Sequence, residues 1–407
     1  MIPPLIGRGK MAKKSIEIEK RQAQKRKRGE KRHKKRVKKN MSDAARLYRV
    51  VLRQLRQQPT PMLLENQMTL AMMIIGILRG RSGQLRKMAN AVQYNGKKES
   101  LIDRFRRFVR NPNLEVGVEY APFGQRLLKA VGQGPIVLMI DSTKLGGQCL
   151  CLMVSVYYKS RALPLAWVTY KGRKGHSSQQ VQLQLFKQVK ALLPTDVPVV
   201  LVGDGEFDGS EVVDWFDQDS QWRFVCRTDK TNKVFYQEQW LALHELPLTE
   251  GQDAFFSGLR FTEKNQVGPV NILAVWHQAR SEHWFFVTNC QTAAEAKAFY
   301  TLRFTTETLF SDLKGRGFNL DDTRLWQSDR LQRLLLPAAI AYFLMVVLGV
   351  EAIVSGVFRQ LVRTDAFYHS LFQLGLFYLN HIFNELLDFP SLTDLPPPHT
   401  FEHVVIS

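Results

Sequence analysis

Apolar positions recur at three- and four-residue intervals in "DAARLYRVVLRQLRQ", "LLENQMTLAMMIIGILRG", "SGQLRKMANAVQ" and "ESLIDRFRRFVR", which predicts a helical domain over residues 41–131. From residue 135 the pattern changes to short runs rich in Val, Ile, Leu and Tyr: "PIVLMID", "CLCLMVSVYY", "ALPLAWVTY" and "VPVVLVGD". These read as strands. Between the third and fourth lies "SSQQVQLQLFKQVKALL", a helical repeat with Ser177 or Ser178 as N-cap; "GSEVVDWFDQ" and "WRFVCRT" add a helix and a fifth strand. Three strands followed by alternating helix and strand predict a mixed α/β sheet. Alternating segments over 233–290 predict a small β-rich insertion, and a long apolar helical stretch is expected from 329 to about 388. The run 334–350 is apolar enough to suggest a membrane, but it contains a proline and is followed at once by Glu351, so a buried helix is expected.

Charge changes this picture at one end. The chain of 407 residues carries a formal +20, and residues 1–40 hold 17 Lys plus Arg against three Glu, or +14, leaving +6 for the rest. Such a segment has little apolar surface to bury and repels itself, so a basic disordered tail attracted to polyanions is expected, with nucleic acid the simplest partner. The helical domain offers further cations, Arg86, Lys87, Arg104, Arg106 and Arg107 among them. Cys149, Cys151, Cys226 and Cys290 lack C-x-x-C spacing and follow no secretory signal, which reads as a reduced, cytoplasmic protein. His33, His176, His244, His277 and His283 stand at no zinc-ligand spacing.

The stretch "FYTLRFTTETLFSDLKGRGF", 299–318, concentrates the candidate chemistry. As one helix it would place Tyr300, Arg303, Glu307 and Lys314 at about 0°, 300°, 340° and 320°, one polar arc, opposite an apolar stripe of Leu302, Leu309 and Leu313. Asp141 and Asp204 each follow an apolar run directly, at the expected ends of the first and fourth strands. Polar groups at such ends gather in one crevice. With Glu307, the only acid on the arc, they make three carboxylates, which can hold two divalent ions about 4 Å apart for phosphodiester chemistry. Glu206 and Asp208, in "GDGEFDG", read as local turn and capping groups.

These residues resemble the DDE transposases of the bacterial insertion-sequence four group. The signature Y-x2-R-x3-E-x6-K matches Tyr300, Arg303, Glu307 and Lys314 at every spacing; "IDSTKL" and "GDGEFDG" resemble the family's two aspartate motifs. The resemblance covers about 41–350. It implies an α/β, RNase H-like catalytic core over 132–350, interrupted by the β-rich insertion 233–290, preceded by a helical DNA-binding domain and followed by C-terminal helices over 351–407. It further implies that Asp141, Asp204 and Glu307 bind two Mg²⁺, with Mn²⁺ able to substitute, and that Arg303, Lys314 and Tyr300 hold DNA phosphates. Trp284, in "HWFFVTN", matches the family's base-stacking tryptophan, and Phe304 stands where some members have a second. The implied activity is cut-and-paste transposition through DNA hairpins, by a homodimer bound to terminal inverted repeats and then to target DNA. The rival readings are an RNase H-like nuclease or resolvase without strand transfer, a domesticated DNA-binding protein without catalysis, and, from the tail alone, a basic RNA-binding protein.

Overall fold

The computed structural model describes residues 42–390 except 133, 173–174, 176 and 366–368, together with 395–397. The basic tail of residues 1–40 lies outside the described residues. The chain opens with α1 (Asp43–Arg56), α2 (Leu64–Gly80), α3 (Leu85–Ala91), α4 (Lys98–Arg110) and α5 (Val116–Val131). Ser42 caps α1 by accepting from the Ala45 amide at 3.2 Å. The apolar periodicity does not single out α5, because Gly117, Pro122 and Gly124 interrupt it; packing of Tyr120 and Phe123 into the core overrides the weak local preference.

The sheet begins with β1 (Ile136–Leu145), β2 (Cys149–Tyr158) and β3 (Arg161–Lys171), followed by α6 (Gln179–Lys190), capped by Ser178. Next come β4 (Val199–Gly203), α7 (Ser210–Trp215) and β5 (Arg223–Thr228). The order is β3-β2-β1-β4-β5: β1 is antiparallel to β2 and parallel to β4, and β4 is parallel to β5. Helices cover both faces, so β1, β2 and β4 are buried almost throughout and lack the alternation of a half-exposed strand.

The segment after β5 forms β6 (Lys233–Tyr236), β7 (Gln239–Ala242), β8 (Ala254–Phe261), β9 (Val267–His277) and β10 (Glu282–Thr288). It is β-rich, as its alternation predicts. It is not a separate sheet, however: β10 pairs antiparallel with β5, Phe285 opposite Thr228, and extends the core sheet to ten strands among the described residues. The open edge of β5 supplies the unpaired backbone groups that make this addition favourable.

The C-terminal third holds α8 (Ala293–Leu302), α9 (Thr305–Leu313), α10 (Ser328–Val354), α11 (Phe358–Leu361) and α12 (Leu371–Asn384). The expected single helical stretch is thus divided after α10, where Gly356 takes the left-handed φ of 74°. Helix α10 is long and apolar enough to cross a bilayer by composition, yet 94% of its most apolar window is buried against protein. It packs on β3, α2, α4, α5 and α12. At the crossing with α12, a Cβ on Gly375 would lie 1.8 Å from the Met345 carbonyl and one on Gly349 2.0 Å from that of Leu371. Only glycine permits that approach.

Beside α10, buried Asp312 meets the Tyr342 hydroxyl at 3.3 Å. Burial, partly offset by Arg161, Tyr342 and Arg316, pushes the Asp312 carboxyl up to about 6. An unfolded aspartate titrates near about 3.9, so between those values the folded state binds more protons and stability falls as pH rises toward 6. Asp312→Asn should remove this slope: melting temperatures of wild type and variant, compared from pH 4.5 to 7, should show the wild type losing ground as pH rises. A constant difference across that range would contradict the titration.

Candidate active site

The parallel ladder of β1 and β4 ends at Ile140 opposite Gly203, and the next residues are Asp141 and Asp204. The two acids are therefore neighbours across the sheet. Asp204 follows the end of its strand as expected, but Asp141 does not: β1 runs on to Leu145 because β2 still pairs with it, Asp141 facing Met153 and Leu145 facing Cys149. Asp141 Oδ1 accepts from the Ser142 amide at 2.7 Å, and Asp204 Oδ1 accepts from the Gly205 amide at 2.9 Å. Asp208 is a local structural group: it accepts from Thr228 Oγ1 at 2.6 Å and Asn232 Nδ2 at 3.0 Å, and burial raises its carboxyl. Glu206 reaches further than a turn residue. It accepts from Ser142 Oγ at 2.8 Å and the Ser177 amide at 2.7 Å, tying β1 to the segment that enters α6.

The stretch 299–318 is not one helix. It breaks between α8 and α9 at Arg303 and Phe304, with bonding tightened to three-residue spacing: Arg303 N to Tyr300 O, Thr306 N to Arg303 O and Glu307 N to Phe304 O. The physical cause is in the sequence. Thr305 Oγ1 donates to Leu302 O and Thr306 Oγ1 to Arg303 O, each at 2.7 Å, and such back-bonding bends helices. The break turns Tyr300 and Arg303 inward to 7% exposure each, while the Glu307 side chain stays 62% exposed and Lys314 falls just past the end of α9.

Arg303 becomes the centre of charge. Its Nη1 lies 3.6 Å from Asp141 Oδ2 and its Nη2 3.4 Å from Glu307 Oε1, while its guanidinium sits 5.5 Å from the Tyr300 ring and 4.9 Å from that of Phe304. Its Nε is buried without a hydrogen-bond partner, a donor of the kind a phosphate oxygen satisfies. Tyr300 is packed edge-on against Phe286 at 4.4 Å, and burial raises its hydroxyl. Lys314 Nζ donates to Thr143 Oγ1, two residues beyond Asp141 on the same face of β1. Phe304 stays 46% exposed.

Among the described residues no three His, Cys, Asp or Glu side chains stand close enough to hold a metal ion. The donor chemistry nonetheless fits a hard divalent cation: the carboxylates offer oxygen ligands, a cationic group already stands between Asp141 and Glu307, and exposed Glu307 is free to turn.

Asp141 and Asp204 open into a cleft of about 470 Å³ lined also by Glu206, Arg227, Lys230 and Trp284. Trp284 therefore shares the acids' cleft. Its ring stacks on His277 at 4.1 Å and 30°, and the Arg227 guanidinium lies 4.2 Å from its centroid. Because β10 lies between β9 and β5, these partners approach from opposite sides. Both faces of the indole are thus covered. Nothing in the sequence singles out Arg227 or His277 as partners of Trp284, since each is one polar residue near the end of an ordinary strand; only strand order brings them to Trp284.

A sheet ordered β3-β2-β1-β4-β5, with β1 to β3 antiparallel and acids side by side on β1 and just past the end of β4, is the arrangement of an RNase H-like core. The family model described as "Transposase DDE domain" matches residues 133–344, and the chain belongs to that family. No curated protein matches the chain. Among solved structures it is similar to a piggyBac transposase synaptic complex with hairpin DNA, at 10% identity and a TM-score of 0.42, with 89% of this chain and 85% of that chain covered. A likeness of that size assigns nothing further.

If Arg303 is the counter-charge that holds this site together, Arg303→Gln should destabilise by on the order of 3 kcal/mol, the cost of removing one partner of a buried ion pair. Asp141→Asn in the same chain should restore part of the loss, and millimolar Mg²⁺ should raise the melting temperature of Arg303→Gln more than that of the wild type. Additive losses with no Mg²⁺ response would show that Arg303 does not perform that role.

Proposed function

We propose that this transposase works by cut and paste: it binds the terminal inverted repeats of its own element, frees each end through a DNA hairpin and joins the ends to target DNA. The supporting observation is the convergence of Asp141, Asp204 and, through Arg303, Glu307 beside an aromatic cleft. The match of Tyr300, Arg303, Glu307 and Lys314 to the Y-R-E-K spacing supports a relationship to the insertion-sequence four group. Asp141, Asp204 and Glu307 would hold two Mg²⁺ or Mn²⁺. When bound, such ions activate an attacking oxygen and stabilise a leaving one.

The chain's own residues then divide the work. Arg303 exchanges its carboxylates for a phosphate, to which its unpartnered Nε donates, and buried Tyr300 fixes the guanidinium from behind. Lys314 grips the strand beyond the cleavage point, at Thr143. Trp284 receives the base turned out when the hairpin closes, which requires Arg227 or His277 to yield one face of the indole. Phe304 packs beside the same strand. Two ends must meet, so the working form is a homodimer on DNA, with the helices of 41–131 contributing to end binding.

The decisive experiment incubates protein, Mg²⁺ and a labelled element end and follows nicks, hairpins and joining to a plasmid. Asp141→Asn, Asp204→Asn and Glu307→Gln should each abolish nicking while end binding survives; near-normal cleavage by any one removes that residue from the site. Trp284→Ala should keep nicking but lose roughly five- to hundred-fold in hairpin, for a stack of about 1–3 kcal/mol. Nicks without any strand transfer by the wild type would favour the nuclease reading.

A further inference from the structure

Trp326 is 62% exposed, the most solvent-open of the large apolar side chains among the described residues apart from Leu63. Its chain neighbours Arg324 and Gln327 and, in the adjoining hairpin turn, Gln148 are exposed as well. Its position is nevertheless held firmly. A Cβ added to Gly147, in the β1–β2 turn, would lie 2.6, 2.7 and 3.0 Å from three atoms of the indole. Near-equal distances to adjoining ring atoms put the glycine over one ring face. The Gly147 amide donates to Leu325 O at 3.0 Å, and the Cys149 thiol donates to Trp326 O at 3.5 Å, so backbone and ring are both docked on the turn. One face is covered by glycine, while 62% of the residue stays exposed.

The position of this ring follows from β1. Met139, Asp141 and Thr143 share a face of the strand and lie against Thr305, Thr306 and Lys314 in turn, Thr143 accepting from Lys314 Nζ. The four steps from Asp141 to Leu145 rise about 13 Å at ~3.3 Å each, close to four base steps of ~3.4 Å, and the turn bearing Trp326 follows. Cations flank it: Lys144, Lys171 and Arg324 are exposed, Lys171 lying opposite Cys149 at the foot of the turn. Of the nearby acids, Asp322 pairs with Lys87 and Asp329 with Arg333, while Asp321 is exposed.

We infer that Trp326 is a second stacking platform, for an unpaired base of the DNA strand that leaves the cleft past Lys314, several nucleotides from the cleavage point. This rests on the reading of the cleft as a DNA site. A pre-held indole with one open face among cations suits a base, because every base offers a π-face and the phosphates meet the cations.

The test measures fluorescence anisotropy of the full chain with two probes, a blunt duplex and the same duplex with a single-stranded overhang, over a range of salt. Trp326→Ala should weaken overhang binding about five- to hundred-fold with the salt slope and the blunt-duplex affinity unchanged, because stacking releases no counterions. Trp326→Phe should keep most of the affinity. Gly147→Ala, whose new methyl would displace the ring, should copy Trp326→Ala at an unchanged melting temperature. Equal affinities for wild type and Trp326→Ala on both probes would overturn the platform, as would parallel losses on both probes with early melting, which mark packing. Failure of the wild type to bind either probe would instead overturn the DNA reading beneath it.

Discussion

The parallel pairing of β1 with β4 is the constraint on which the site depends. A parallel neighbour can be reached only by a crossover, here β2, β3 and α6, and the ladder's length then decides which side chains stand together. Because it ends at Ile140 and Gly203, Asp141 and Asp204 emerge side by side into the cleft. A slip of one residue would turn either carboxylate to the opposite face. Pairing of β1 with β2 beyond that point carries the same face on to Thr143, Lys314 and the turn under Trp326.

Burial of α10 performs the matching task for the whole molecule. A 27-residue helix apolar on nearly every side has no solvent face and must be enclosed. The sheet, through β3, covers one side, and the amino-terminal helices and α12 cover the rest. The helical region before residue 132 is therefore packed against the same core as the main sheet. Glycines at the α10–α12 crossing and the Asp312–Tyr342 contact show how closely this enclosure is fitted.

Charge in the site is balanced before any ligand enters. A buried carboxylate without a partner is costly, and Arg303 meets that need for Asp141 while reaching exposed Glu307. The same arginine keeps a buried Nε with no acceptor. Both features fall on one side chain, which the helix break at Arg303 and Phe304 turns inward.

The sequence by itself determined many of the elements: the five core strands, the capped α6, and the buried rather than membrane character of 334–350. These are local signals, since periodicity, caps and residue spacing are written in neighbouring positions. Tertiary structure alone decided the rest. It joined β10 to β5 and made the expected insertion part of the main sheet, because an open strand edge pairs with whatever reaches it. It broke the helix of 299–318, where threonine back-bonds and the pull of Asp141 on Arg303 outweigh a continuous apolar stripe. It extended β1 past Asp141, closed both faces of Trp284 with residues from two other strands, and set Trp326 on Gly147 from 179 positions away in the chain. Contacts of that range depend on register and strand order, which no local pattern encodes.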